Sequence, residues 1–293
     1  MRPTRPESIP MFPRLRPLAA AFAVTAALVL VPAAAVAEPP TPFEPGDIIS
    51  DDSFFNPDAM TAGQIQHFLE GRSCHPRDAS PCLADFRMDS PAQAASKDRC
   101  AAMPGRDHER ASSIIARVAA ACTISPRVLL VLLQKEQSLL TAPSAAGYQR
   151  ATGYACPDTA ACDARYFGFF NQVYRAAWQF REYTVHPQDW RYRIGGNSIQ
   201  YHPDAACGAS TVRIVNQATA NLYNYTPYQP NDETLSAPAG EGGACSAYGN
   251  LNFSRLYAEW FGSPLAVRYA GFVESCLVYE GGFGCPQRSP LQP

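Results

Sequence analysis

Ser125-Pro-Arg-Val-Leu-Leu-Val-Leu-Leu-Gln-Lys-Glu-Gln-Ser-Leu-Leu-Thr141 is the most strongly patterned stretch of this chain. Ser125 is a favourable N-cap, and Pro126 suits the first helical position because its φ is preset and it has no N–H to leave unpaired. Strong helix formers follow, so the stretch predicts a helix from Pro126 to about Thr141. On a 3.6-residue period Leu132, Leu133, Leu139 and Leu140 lie three and four residues either side of Glu136, which sets one carboxylate in the middle of an apolar stripe. Burial among leucines disfavours the charged form, so Glu136 is a candidate general acid. The same residues also admit a glutamate at the rim of the stripe, neutralised by an arginine or a backbone donor.

Working outward, 293 residues with 46% hydrophobic and 17% charged composition suit one large or two modest globular domains. Arg2, Arg5, Arg14 and Arg16 precede an apolar run from Leu18 to about Val31, and Ala35-Val36-Ala37 offers a small-x-small cleavage site. Residues 1–37 therefore read as a secretory signal, with a run too short for a permanent membrane span. Its removal takes away four arginines and one glutamate and moves the net charge from −2 to −5. A mildly acidic chain without a basic stripe excludes nucleic acid as a partner.

The ten cysteines, Cys74, Cys82, Cys100, Cys122, Cys156, Cys162, Cys207, Cys245, Cys276 and Cys285, all follow the signal. An even count in an exported chain predicts disulfides, and pairing in sequence order is preferred because each bridge then closes a local loop. Cys-x-x-Cys and His-Glu-x-x-His are absent and the five histidines are scattered, so neither a metal nor a cofactor is expected.

Residues 38–50 carry four prolines and read as a linker. Thr61 caps a short helix through Ile65, Phe68 and Leu69 that stops at Gly71. Residues 51–104 form an N-terminal, disulfide-linked, loop-rich segment. A helix from Asp107 to Ala121 leads through Cys122 into the Glu136 helix. The loop Cys156–Cys162 would bring Asp158 and Asp163 near one another, as turn residues or as a second carboxylate. Tyr166 to Tyr183 predicts a third long helix that opens on Gly168-Phe169-Phe170-Asn171-Gln172. Between Trp190 and Val215 the apolar period shifts to two, which predicts two or three short strands with Gly195-Gly196-Asn197 as a tight turn. Asn216 caps a helix ending at Tyr225, Pro230 to Gly243 reads as loop, and the last helix runs from about Asn252 to Phe261. Residues 263–293 form a tail with a short hairpin between Cys276 and Cys285.

In this order, the Glu136 helix, the Gly168–Gln172 element, the small sheet and Leu222-Tyr-Asn-Tyr225, the chain resembles the lysozyme-like superfamily, nearest to soluble lytic transglycosylases and goose-type lysozymes. The resemblance spans residues 105–262. In that family a glutamate near the end of a buried helix is followed by Gly-Leu-Met-Gln and later by Ala-Tyr-Asn-Ala-Gly. Three departures stand out: Gln137 follows Glu136 where the family usually has serine, the Gly168–Gln172 element has one residue more, and Ala-Gly does not follow Tyr223-Asn224. The chain is also similar to secreted bacterial proteins that share Tyr-x-Tyr-Thr-Pro-Tyr and a terminal Trp-Phe-Gly, sometimes labelled haemagglutinin. The resemblance implies an α+β, mainly α, disulfide-linked lysozyme-like helical domain with a small antiparallel sheet. It implies Glu136 as catalytic acid and Gly168, Phe169, Asn171, Gln172, Tyr223, Asn224 and Tyr225 as substrate-binding residues. It further implies an enzyme that cleaves peptidoglycan, or a non-catalytic glycan-binding protein on the same scaffold; the chain is expected to be secreted and monomeric.

Overall fold

The computed structural model describes residues 43–267 apart from 158–159 and 238–239, all within one compact unit. The signal, the tail hairpin with Cys276 and Cys285, and Asp158 lie outside the described residues. In chain order the elements are α1 Asp51–Phe54, α2 Ala62–Glu70, β1 Arg87–Ser90, β2 Arg106–Arg110, α3 Ala111–Cys122, α4 Pro126–Gln137, α5 Ala145–Gln149 and α6 Phe169–Val185. They continue with β3 Gly195–Gln200, β4 Ala209–Ile214, α7 Gln217–Tyr225, α8 Asp232–Ser236 and α9 Gly249–Phe261. The fold is α+β and mainly helical, as expected, with two small antiparallel sheets where one was expected.

α4 occupies the centre because its sequence leaves no polar face over most of its length. Val128 to Leu133 are all at most 1% exposed, and a helix apolar all round must be enclosed on every side. α3 and α9 pack against it, and α3 in turn packs on α6, which packs on α7. Each fully buried leucine or valine there stabilises by about 1.5–3 kcal/mol relative to an exposed one, far more than the few tenths per residue that separate helix propensities. Burial, not propensity, holds α4. Its start follows the expected cap, with the Ser125 hydroxyl accepting from the Arg127 N–H and Pro126 in the first turn. The Thr61–Gln64 capping box opens α2 as its sequence predicts.

β1 and β2 pair from Arg87↔Arg110 to Ser90↔Arg106, and β3 pairs with β4 in unbroken register from Gly195↔Ile214 to Gln200↔Ala209. Gly195 to Asn197 therefore lie inside a strand, and the reversal falls at residues 201–208 instead. Cys207 in that reversal is bonded to Cys245. Residues 107–110 are strand, so α3 starts at Ala111. The Glu136 helix stops at Gln137, because Ser138 turns to φ 55° and donates its N–H back to the Gln134 carbonyl at 2.8 Å. Gln134 completes the turn: its Oε1 accepts from the Leu140 N–H at 3.1 Å and its Nε2 donates to Thr141 Oγ1 at 2.9 Å. The third long helix begins later than expected, at Phe169, and α8 interrupts the Pro/Gly-rich loop.

The described part of the expected linker is built in. Ile48 and Ile49 are at most 1% exposed, Ile48 N–H donates to Thr219 Oγ1 at 3.0 Å, and Val215 N–H donates to the Gly46 carbonyl at 3.0 Å. A side chain at Gly46 would collide with the Arg213 carbonyl. Ser50 joins this end of the domain to the other: its N–H donates to the Pro264 carbonyl at 3.0 Å and its hydroxyl to the Ala266 carbonyl at 2.6 Å. Four disulfides, Cys74–Cys82, Cys100–Cys122, Cys156–Cys162 and Cys207–Cys245, follow the pairing in sequence order. They fit an oxidising compartment. Among the described residues no helix is long and apolar enough to cross a membrane.

Candidate active site

The early stop of α4 decides where Glu136 stands. Leu139 and Leu140 lie beyond the reversal at Ser138, so they are not on the helix face of Glu136 and the leucine stripe does not enclose it. The Glu136 side chain is 24% exposed, and its Oε1 lies 2.6 Å from Lys135 Nζ. The Lys135 side chain is only 6% exposed, and its ammonium also donates to Thr226 Oγ1 at 2.9 Å, at the end of α7. The other oxygen, Oε2, lies against Gly153, 3.0 Å from where a Cβ would sit. Gly153 has φ +70°, a left-handed conformation that favours glycine, and the absent side chain is also what leaves room for the carboxylate.

Gln172 holds that loop in place. It is fully buried, and its Oε1 accepts from Thr152 N at 3.2 Å and Tyr154 N at 3.1 Å. Its Nε2 donates to the carbonyls of Tyr154 at 3.1 Å and Tyr166 at 2.8 Å. Both ends of the amide are used on backbone, so Gln172 positions the loop and has no free group for a substrate.

Beyond Gly153 a cavity of about 520 Å³ opens, lined among others by Tyr154, Gln179, Tyr183, Trp190, Tyr225 and Asp163. The Cys156–Cys162 bridge contributes to its wall. Tyr225 ties the cavity to Glu136. Its hydroxyl donates to the Thr152 carbonyl at 2.8 Å, and burial together with the nearby Glu136 charge pushes its phenol well above the ordinary value. Burial also raises Tyr183 and Tyr154. The cavity therefore presents neutral phenols and aromatic faces at neutral pH.

The remaining predicted residues divide. Tyr223 is fully buried with its hydroxyl donating to the Pro45 carbonyl at 2.9 Å, away from the cavity. Asn224 clamps the backbone of Tyr192, accepting from its N–H at 2.9 Å and donating to its carbonyl at 2.8 Å. Gly168 starts α6 at φ +99° and Phe169 is 1% exposed in the core, while Asn171 donates to the Arg165 carbonyl at 3.2 Å. These residues build the scaffold; Tyr225 alone of the later motif faces the cavity. Asp163 lines it, but Arg165 donates to its carboxylate at 2.6 Å, and these hydrogen bonds hold the carboxyl below the usual range. Among the described residues no group of three or more His, Cys, Asp or Glu could hold a metal ion.

Sequence reasoning missed Lys135, Tyr154, Gln179, Tyr183 and Trp190. The signal for Lys135 was present, since it is one of two lysines in the chain and stands beside Glu136 in an apolar helix. The aromatic residues carry no local pattern that marks a cavity wall, because three separate segments build it. No curated protein and no solved structure matches the chain. The family model described as LasA, N-terminal domain, matches residues 47–272, well over half of the sequence and nearly all of the described fold. The chain thus belongs to the LasA N-terminal domain family.

Proposed function

We propose that this is a secreted, cell-wall-acting protein that cleaves the glycan strands of peptidoglycan, with Glu136 as acid and then base. The observation that carries the reading is the position of Glu136, at the end of a buried helix, partly open to solvent, beside the neutral Tyr225 phenol of an aromatic-walled cavity. Membership of the LasA N-terminal domain family supports a wall-acting role. Aromatic faces suit the apolar faces of sugar rings, and buried amides and phenols suit their hydroxyls. Protonated Glu136 would give its proton to the bridging oxygen as the bond lengthens and positive charge develops on the sugar. The resulting anion would take the proton of the muramyl 6-hydroxyl, closing an anhydro ring. This route needs one carboxylate. Hydrolysis with inversion would need a second at roughly 6.5–9.5 Å, and Asp163 is already engaged by Arg165.

A second reading, a glycan-binding protein without turnover, is favoured by one feature: the Glu136 charge is already compensated by Lys135, as in a structural ion pair. Mass spectrometry of purified peptidoglycan after incubation with the oxidised protein and with Glu136→Gln separates the two. Anhydromuramyl products that vanish in the variant are the expected result. Retained wall binding with no products from either protein would overturn cleavage in favour of binding.

A further inference from the structure

Adjacent residues on a helix point about 100° apart and ordinarily do not meet. Lys135 and Glu136 do meet, at 2.6 Å, in the last turn of α4. The lysine stem bends because something else holds its ammonium: Thr226 Oγ1, 2.9 Å away at the C-terminal cap of α7. Gly249, at the start of α9, makes room for this arrangement. A Cβ there would lie 3.7 Å from Lys135 Nζ and would strike the Thr226 methyl hard enough to displace it. Three helix ends thus converge on one buried ammonium, and a charge with a 6% exposed side chain persists only when paired.

Two charged or titratable groups among the described residues are placed directly against Glu136. Lys135 faces it from α4 and Tyr225 from α7, while the 152–154 loop offers the Gly153 backbone. Tyr154 and Tyr183 stand behind Tyr225. Lys135 is the sole cation among these groups.

We infer that Lys135 is a positioning residue: its ammonium, anchored on Thr226, grips one oxygen of Glu136 so that the other stands beside Gly153 and Tyr225 at the edge of the cavity. This rests on the reading of Glu136 as the reacting group. Without the grip the carboxylate would rotate freely in the solvent-open last turn. Misplacing a reacting group by about 1 Å costs up to roughly a hundredfold in rate.

The test has two readouts. With only two lysines in the chain, 15N-lysine labelling yields two ammonium resonances, and Lys135→Arg assigns them. The expected result is one slowly exchanging ammonium signal for Lys135 that disappears in Glu136→Gln and weakens in Thr226→Val. An ammonium that exchanges as fast as that of Lys97, or that ignores both variants, overturns the inference. For turnover on peptidoglycan, Lys135→Met should lower kcat at least about tenfold with KM held within about twofold. Thr226→Val, which keeps the lysine and serves if Lys135→Met does not fold, should fall between it and the wild type. Wild-type kcat in a folded Lys135→Met overturns the inference. Should the wild-type protein release no wall fragment, cleavage fails as a function, while the ammonium spectrum still decides the role of Lys135.

Discussion

Replacing Gln172 by methionine would keep the volume of the side chain and remove its polar end, which isolates what the amide does. Four backbone groups lose their partner: the N–H groups of Thr152 and Tyr154 and the carbonyls of Tyr154 and Tyr166. Thr152 is fully buried, so its N–H would carry the whole desolvation cost of about 1–3 kcal/mol. Tyr154 and Tyr166 are partly exposed, so water can re-pair their groups and each loss costs nearer to about 0.5–1 kcal/mol. The sum, about 2.5–6 kcal/mol, is a large part of the stability of an ordinary domain. Urea unfolding should show this as a lower midpoint with an unchanged slope. Because the same amide sets the loop that places Gly153 against Glu136, activity or glycan binding should fall at temperatures where the variant is still folded. A loss below about 1 kcal/mol with function intact would refute the view that Gln172 is the strut of the site.

Two further outcomes are expected. Burial pushes the Glu109 carboxyl up, but hydrogen bonds from Arg117, Ser113 and Ser90 and the Arg117 charge outweigh that and hold it below its ordinary value. Its contribution is therefore fully present above the unfolded carboxylate value and is lost as pH falls through the lower folded one. Glu109→Gln should cost roughly 3 kcal/mol at pH 7 by breaking a buried pair, and the gap to wild type in denaturant midpoint should close below about pH 4; a gap constant with pH would count against it. Gly153→Ala should cost about 1–2 kcal/mol for its left-handed conformation and also displace the Glu136 carboxylate, so thermal melting and turnover should both drop. A melt lowered without any effect on turnover or binding would separate Gly153 from the site.

Elements with a long apolar period or a side-chain cap were legible: α2, α4 and α7 are found near their predicted places because Thr61, Ser125 and Asn216 announce them, and α6, whose N-cap Gly168 has no side chain, because of its apolar period. The strands β1 and β2 were not, since Arg87-Met-Asp-Ser and Arg106-Asp-His-Glu-Arg have no apolar alternation and are held by pairing with each other. The end of α4 at Ser138 was the least legible boundary. Nothing in Gln137-Ser138-Leu139 forbids another helical turn, and the stop depends on the Gln134 side chain reaching forward to Leu140 and Thr141. That one turn decided whether Glu136 lay among leucines or beside a lysine. The cavity was illegible for a different reason: its walls come from residues 153–163, 179–190 and 225, and only tertiary packing collects them. The pairing of the four described disulfides could be read because each joins cysteines consecutive in the sequence.

The hydrogen bonds from Ser50 to Pro264 and Ala266 have a mechanical consequence. With both ends of the described chain fastened side by side, a pull between Phe43 and Val267 runs through Ser50 and bypasses α4. Tension would load those two bonds together with the one from Ser53 Oγ to the Ala266 carbonyl at 3.1 Å and, on the Phe43 side, the Gly46–Val215 and Ile48–Thr219 bonds. Only once these part would it begin to peel α9 from α4. The buried helix and the cavity beside it are thereby off the load path, and a domain tethered at both ends under turgor or shear would keep its site intact while its ends yield.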